Sequence, residues 1–222
     1  MYDALLFDLD GTLIDTETLA VAAGLAAFAR MGHPVEETFL HSLVGVDGPS
    51  SGPIIRAHRP QVDLPALLSH WHQGFEDAML TRGLALKPGV TELLSLAPAH
   101  LPRALVTSSG REGAQAKLTR AGLHRSFAHV VTVDDVTHAK PNPAPYLLAA
   151  RLLGVDPARC LVFEDSETGA EAAHRAGCVV VQVPDVVPSQ GRWAHHLASD
   201  LLSGARMAGL IGETSYWPAS PP

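Results

Sequence analysis

The chain has 222 residues, 46% of them hydrophobic, and a formal charge of −7 from 16 Lys and Arg against 23 Asp and Glu, which is ample apolar material for a sizeable buried core. No Lys/Arg cluster offsets the acidic balance, so a nucleic-acid or anionic-membrane surface has no electrostatic support, and no stretch reaches the ~18 uninterrupted apolar residues of a membrane helix. Met1 runs straight into a strand-like segment without a basic n-region or an h-region, and the expectation is a cytoplasmic, monomeric protein that handles small molecules.

In chain order, "ALLF" (4–7) is an uninterrupted apolar run of strand length, followed at once by two acids, Asp8 and Asp10, and a sharp turn at Gly11. "RALVT" (103–107), "HVVTV" (129–133), "CLVFE" (160–164) and "CVVVQV" (178–183) are four more runs of the kind that parallel sheets bury on both faces. Helix-length segments separate them. "REGAQAKLTRAG" ends in Gly122, "PAPYLLAARLLG" in Gly154 and "SETGAEAAHRAG" in Gly177, each placed for a left-handed C-cap. Alternation of this kind predicts an α/β fold, a Rossmann-like parallel sheet with crossover helices on both faces.

Residues 16 to 86 break the alternation. "ETLAVAAGLAAFARMG" and "LPALLSHWHQGFEDAMLTRG" read as helices with no strand between them, and "LVGVDGPSSGP" (43–53), rich in Gly, Pro and Ser, reads as a loop. The expected organisation is a core of residues 1–15 and 87–222 with a helical cap, residues 16–86, over the end of the first strand. Pro88 and Gly89 make the turn back into the core, and a helix starts at Val90. "TSYWPASPP" has no periodicity and reads as a poorly ordered tail. Cys160 and Cys178 lie inside apolar runs and read as buried thiols.

In open parallel sheets ligands bind beyond the carboxyl ends of the strands. There the chain places Asp8 and Asp10 after the first strand, Thr107, Ser108 and Ser109 after the second, Lys140 after the third, and Glu164 with Asp165 after the fourth. Four carboxylates in one crevice cannot all stay ionised without a cation, because like charges ~4 Å apart cost several kcal/mol even at intermediate dielectric. Hard oxygen ligands select Mg²⁺, with Lys140 supplying the remaining compensation. A cation, an ammonium, hydroxyls and loop amides together suit a phosphate dianion. In Asp8-Leu9-Asp10 one acid is suited to attack and the other to handle protons.

"FDLDGTLIDTE", "LVTSSG", "AKPNPAPY" and "VFEDSETGAEAAHRAG" resemble, in order, the four motifs of the haloacid dehalogenase superfamily. The resemblance is closest to its phosphatases and phosphomutases with a small helical cap, the group of β-phosphoglucomutase and phosphoglycolate phosphatase, and it spans essentially the whole core. It implies a Mg²⁺-dependent phosphatase acting on a small phosphorylated metabolite, such as a sugar phosphate. Asp8 would be the nucleophile that forms an aspartyl-phosphate, and Asp10 the acid for the leaving alkoxide and then the base for water. Thr107, the Ser108 amide and Lys140 would hold the phosphoryl oxygens. The metal would lie on the Asp8 carboxylate, the Asp10 carbonyl and Asp165, with Glu164 a ligand directly or through water. Thr12 would orient Asp10.

The phosphomutases of the group carry a cap His where this chain has Ala20, and a cap-loop Arg where it has "GVDGPSSG" (45–52). A mutase must grip a bisphosphate by its second phosphate, so the expectation is hydrolysis, with a β-phosphoglucomutase-type mutase the alternative if Arg56 or Arg59 substitutes. A metal-free dehalogenase would have no use for Asp10 and the Glu164-Asp165 pair, and a non-catalytic scaffold would have no use for a filled set of catalytic positions. Plainer roles are expected elsewhere. Asp15 and Thr16 cap the first cap helix with Glu17 in its first turn, Ser109 and Ser166 are N-caps, and Asp134 and Asp135 line a solvated loop. The "HWH" triplet (70–72) and His195-His196 have the wrong spacing for a zinc site. Trp71 and Phe75 pack a cap core, the 45–53 segment is the candidate specificity loop, and hinges lie near Asp15 and Leu86-Lys87.

Overall fold

The structure, a computed structural model, describes residues 1–44 and 48–212. The expected tail at 214–222, and residues 45–47 of the expected loop, lie outside the described residues.

Ala4–Phe7 forms β1, in the middle of a parallel sheet ordered β3-β2-β1-β4-β5-β6. β2 (Arg103–Val106) and β4 (Cys160–Glu164) flank it, β3 (His129–Val131) lies outside β2, and β5 (Val179–Gln182) and β6 (His196–Leu197) lie outside β4. All four residues of β1 are fully buried because successive side chains leave on opposite faces and both faces are covered. Leu5 and Phe7 pack with Leu105, Phe163 and Val181 under α5 (Val90–Leu96), α6 (Arg111–Arg120) and α9 (Leu201–Met207). Leu6 packs with Val106, Val162 and Val180 under α7 (Ala144–Leu153) and α8 (Glu167–Arg175). Phe7 and Phe163 are register partners, and their rings stack at 5.1 Å.

The five expected strands are all present, and Gly122, Gly154 and Gly177 stop their helices at positive φ as anticipated. The short β6 was not anticipated. It pairs with β5 through a two-residue stretch, and His195 beside it accepts a hydrogen bond at Nδ1 from the Val180 amide, 3.1 Å. Cys160 and Cys178 are buried and unpaired. Among the described residues no helix is long and apolar enough to cross a membrane.

Between β1 and α5 the chain forms α1 (Glu17–Arg30), α2 (Glu37–His41), α3 (Gly48–His58) and α4 (Leu64–Arg82). They close around their own apolar cluster, in which Phe28, Leu40, Ile55 and Leu67 are at most 1% exposed. α3 corrects the loop reading over 48–53, while 43–44 form a turn. Its Gly/Pro-rich start argued against helix, but Ile55 fills the cluster, and tertiary burial outweighs local propensity. Trp71 belongs to this cluster as expected, edge-on to Phe28 at 6.1 Å, and its Nε1 donates to Ala20 O at 2.7 Å. The two connections to the sheet run side by side. Ile14 and Leu86 form an antiparallel bridge, the Asp15 amide donates to Ala85 O and the Lys87 amide donates to Leu13 O, each at 2.9 Å.

Candidate active site

β1 ends by extending its ladder one residue, the Asp8 amide donating to Phe163 O at 3.0 Å, and then the backbone turns back on itself. Gly11 makes the turn at φ +85°, and a Cβ there would lie 2.4 Å from Asp165 Oδ2. Only glycine allows both the turn and the approach of the β4 loop. Asp8, Glu164 and Asp165 consequently meet, each presenting a carboxylate oxygen within 4.8 Å of the others.

Lys140 enters this group from the loop after β3. Its ammonium donates to Asp8 Oδ1 at 2.7 Å, Glu164 Oε1 at 2.6 Å and Val106 O at 2.9 Å, and the side chain is 4% exposed. Burial alone would lower its pKa, but Asp8 and Glu164 outweigh that and hold it above the usual lysine range. Asp8 is pushed up to about 7, first by burial and then by Glu164 and Asp10, against the pull of Lys140. Burial, followed by Glu164, Asp8 and Glu17, also drives Asp165 well above the usual carboxylate range. Both shifts come first from burial, and the neighbouring carboxylates add to it.

Glu164 is fully buried and saturated with donors. Oε1 accepts from Lys140 and from the Tyr146 hydroxyl at 2.8 Å, while Oε2 accepts from the Asp165 amide at 3.1 Å, the Ser166 amide at 3.2 Å and Ser166 Oγ at 3.0 Å. Ser166 also caps α8 as expected, its Oγ accepting from the Gly169 amide at 3.0 Å. A Cβ at Gly169 would fall 1.7 Å from Glu164 Oε1. Gly169→Ala is therefore expected to destabilise the protein by about 2–4 kcal/mol, measured by denaturant unfolding, because Glu164 cannot move aside without abandoning buried donors.

Asp10 sits apart from that group, on a hydrogen-bond network of its own. Oδ1 accepts from Thr16 Oγ1 at 2.8 Å and Lys117 Nζ at 2.6 Å, and Oδ2 accepts from Ser109 Oγ at 2.8 Å. Three expectations are corrected here. Thr12 donates to Asp165 Oδ1 at 3.1 Å rather than orienting Asp10. Thr16 makes no side-chain cap, Asp15 instead accepting from the Thr18 amide at 3.2 Å. Ser109 is not the N-cap of α6, a position Gly110 takes. Thr107 is buried at the end of β2 with Oγ1 accepting from the Ser109 amide at 3.0 Å, and Ser108 is exposed at the head of the loop. Asp134 and Asp135 are also more engaged than a solvated loop requires, accepting from the Arg111 amide and from Thr132.

Haloacid dehalogenase-like hydrolase is the family whose pattern matches residues 5–183, which include every side chain of the site just described. The chain belongs to that family. The fructose-1-phosphate phosphatase YqaB of Escherichia coli is 32% identical over 185 residues, covering 82% of this chain and 96% of the relative. Hexitol phosphatase A of the same organism is 36% identical over 179 residues, 80% of this chain and 81% of the relative. Among solved structures, a HAD family hydrolase from Deinococcus radiodurans with bound phosphate and sodium superposes with a TM-score of 0.79 at 28% identity, covering 95% of this chain and 97% of the other.

This haloacid dehalogenase-like hydrolase also has site residues that the sequence reading missed. Lys117, on α6, is 13% exposed in its side chain and lies 6.0 Å from the Phe75 ring centre of α4, so it bridges Asp10 and the four-helix insert. Its signal was periodicity, since Ala114, Lys117 and Leu118 share the inward face of α6. Tyr146, fully buried in α7, holds Glu164; a tyrosine inside an otherwise apolar helix face needs a partner for its hydroxyl. Glu17, at the start of α1, is pushed up to about 7 by burial and then by Asp185, and its Oε2 is buried with no hydrogen-bond partner. Arg59 is committed to the Pro34 carbonyl at 2.9 Å, and Arg56 is exposed on α3. No histidine joins a metal-ligating group among the described residues.

Proposed function

We propose that this chain is a Mg²⁺-dependent phosphoric monoester hydrolase acting on a small phosphorylated metabolite, through an aspartyl-phosphate on Asp8. The observation that carries the reading is the Lys140 ammonium seated between Asp8 and Glu164, with Asp165 in ligating reach of both. Asp8, Glu164 and Asp165 carry three formal negative charges against one positive charge on Lys140, so the balance of the group is −2, the charge one divalent cation cancels, while Asp10 and Lys117 form a separate pair. The donor set is all oxygen, which fits Mg²⁺. Asp8, the Asp10 carbonyl and Asp165 would hold it. Glu164, with both oxygens saturated, supports the site by fixing Lys140. When bound, the ion supplies charge neutralisation at the transferring phosphoryl group.

Asp8 attacks phosphorus in line with the ester oxygen, and Asp10, reachable from the same crevice, gives a proton to the leaving alkoxide and later takes one from the water that cleaves the acyl-phosphate. Thr107, the Ser108 amide and Lys140 orient the phosphoryl oxygens. Residues 16–86 serve as the cap, hinged where Ile14 and Leu86 pair, and exclude bulk water when closed. Phosphatases of sugar and hexitol phosphates among the relatives support the substrate class.

The test is phosphate release from a panel of phosphorylated metabolites, with Mg²⁺ and with chelator. Turnover is expected only with the metal, and metal-independent turnover would refute the reading. Because burial holds Asp8 near 7 without metal, protons compete with the cation there. Asp165, the other carboxylate ligand, is raised as well, so apparent Mg²⁺ affinity, followed by calorimetry, is expected to weaken by at least about tenfold per pH unit below pH 7 and to be strongest at alkaline pH.

A further inference from the structure

Lys117, Ser109 and Asp10 close a ring of three hydrogen bonds. The Lys117 ammonium donates to Asp10 Oδ1 at 2.6 Å and to Ser109 Oγ at 3.0 Å, and Ser109 Oγ in turn donates to Asp10 Oδ2 at 2.8 Å. Thr16 Oγ1 adds a further bond to Oδ1, at 2.8 Å. An ionised carboxylate offers about four acceptor sites, so Oδ1 is filled by two donors while Oδ2, with one, keeps a site open. Neither hydroxyl alone would fix the acid, because each rotates about a single bond and can turn to another acceptor. The ammonium grips Asp10 and Ser109 at once. With 13% of its side chain exposed and the Phe75 ring centre 6.0 Å away, Lys117 is also partly withdrawn from water, where a charge-assisted hydrogen bond holds harder than on an open surface.

We propose that Lys117 is a positioning residue for the second half of the reaction, holding the Asp10 carboxylate turned so that Oδ2 takes the proton of the attacking water. The inference rests on the aspartyl-phosphate reading of the same site. In that step the water oxygen bonds to phosphorus, the bond from phosphorus to Asp8 breaks, and one water proton passes to Asp10 Oδ2, so inorganic phosphate forms and Asp8 is restored. A base contributes only if it is aligned at the moment of attack. Oδ2 is the oxygen left open, and the ring through Lys117 and Ser109 sets its direction. The first half of the reaction asks less of this alignment when the leaving group is a good one, because an acidic phenol departs without a proton from Asp10.

The experiment therefore uses p-nitrophenyl phosphate, for which kcat/KM reports formation of the phosphorylated chain and kcat, once water attack is the slower half, reports its hydrolysis. Lys117→Met is expected to lower kcat at least about tenfold with KM falling alongside. A burst of nitrophenolate is expected to precede the steady state in this variant, with the phosphorylated chain accumulating as followed by intact mass. Lys117→Arg, which returns a charged donor to Asp10, is expected to recover kcat to within about fivefold of wild type. Equal losses in kcat and kcat/KM without a burst, a Lys117→Met protein kinetically indistinguishable from wild type, or no recovery in Lys117→Arg overturns the inference while leaving the hydrolase reading intact. Absence of both phosphate release and a phosphorylated chain in the wild-type protein overturns the hydrolase reading and this inference with it.

Discussion

Asp8→Asn is expected to lower phosphate release by at least about 10⁴-fold while raising the thermal stability of the metal-free protein. An amide cannot serve as the attacking oxygen, so the rate loss tests the nucleophile assignment directly, and near-normal turnover would end it. The stability gain follows from the pKa. Asp8 is pushed up to about 7 by burial, Glu164 and Asp10, against an unfolded value near 4. A group raised in the folded state favours folding when protonated, so wild-type stability falls as pH rises toward 7 and stays low above it. Asn has no such dependence. The variant's advantage is thus expected to be full above pH 7, on the order of a few kcal/mol, and to vanish below about pH 4. A melting temperature difference that is flat with pH would show that the buried acids do not repel as described.

Lys140→Met is the converse experiment. Removing the ammonium leaves Asp8 and Glu164 buried without their cation and is expected to cost about 3–5 kcal/mol, together with a rate loss of at least ~10³-fold. Added Mg²⁺ is expected to return part of the stability but little of the rate. Lys140→Arg is expected to rescue poorly, because Asp8, Glu164 and the Val106 carbonyl converge on one point 2.6–2.9 Å away, a geometry suited to an ammonium and not to a planar fork. Wild-type rates in either variant would remove Lys140 from the chemistry.

Much of this architecture was legible from local pattern. Five apolar runs of strand length, three of them followed by a helix with a glycine stop, specify a parallel sheet, and the sheet's carboxyl edge then gathers Asp8, Lys140, Glu164 and Asp165. What escaped was set by tertiary context. β6 is too short for a pattern of its own. α3 begins with residues that disfavour helix and is held by burial of Ile55. Asp10 and Lys117 are 107 positions apart, and nothing local links a lysine in one helix to a carboxylate in another loop. Thr12, Thr16 and Ser109 all have hydroxyls within reach of a carboxylate, and which acid each one serves depends on backbone geometry that composition does not encode.

The paired crossing at Ile14 and Leu86 has a topological consequence. Because the chain departs from the sheet and rejoins it at neighbouring points, the helices between can change in length without stretching a single strand, while Thr16, at the very start of the excursion, keeps its hold on Asp10. New clientele could then be acquired by exchanging the upper helices alone.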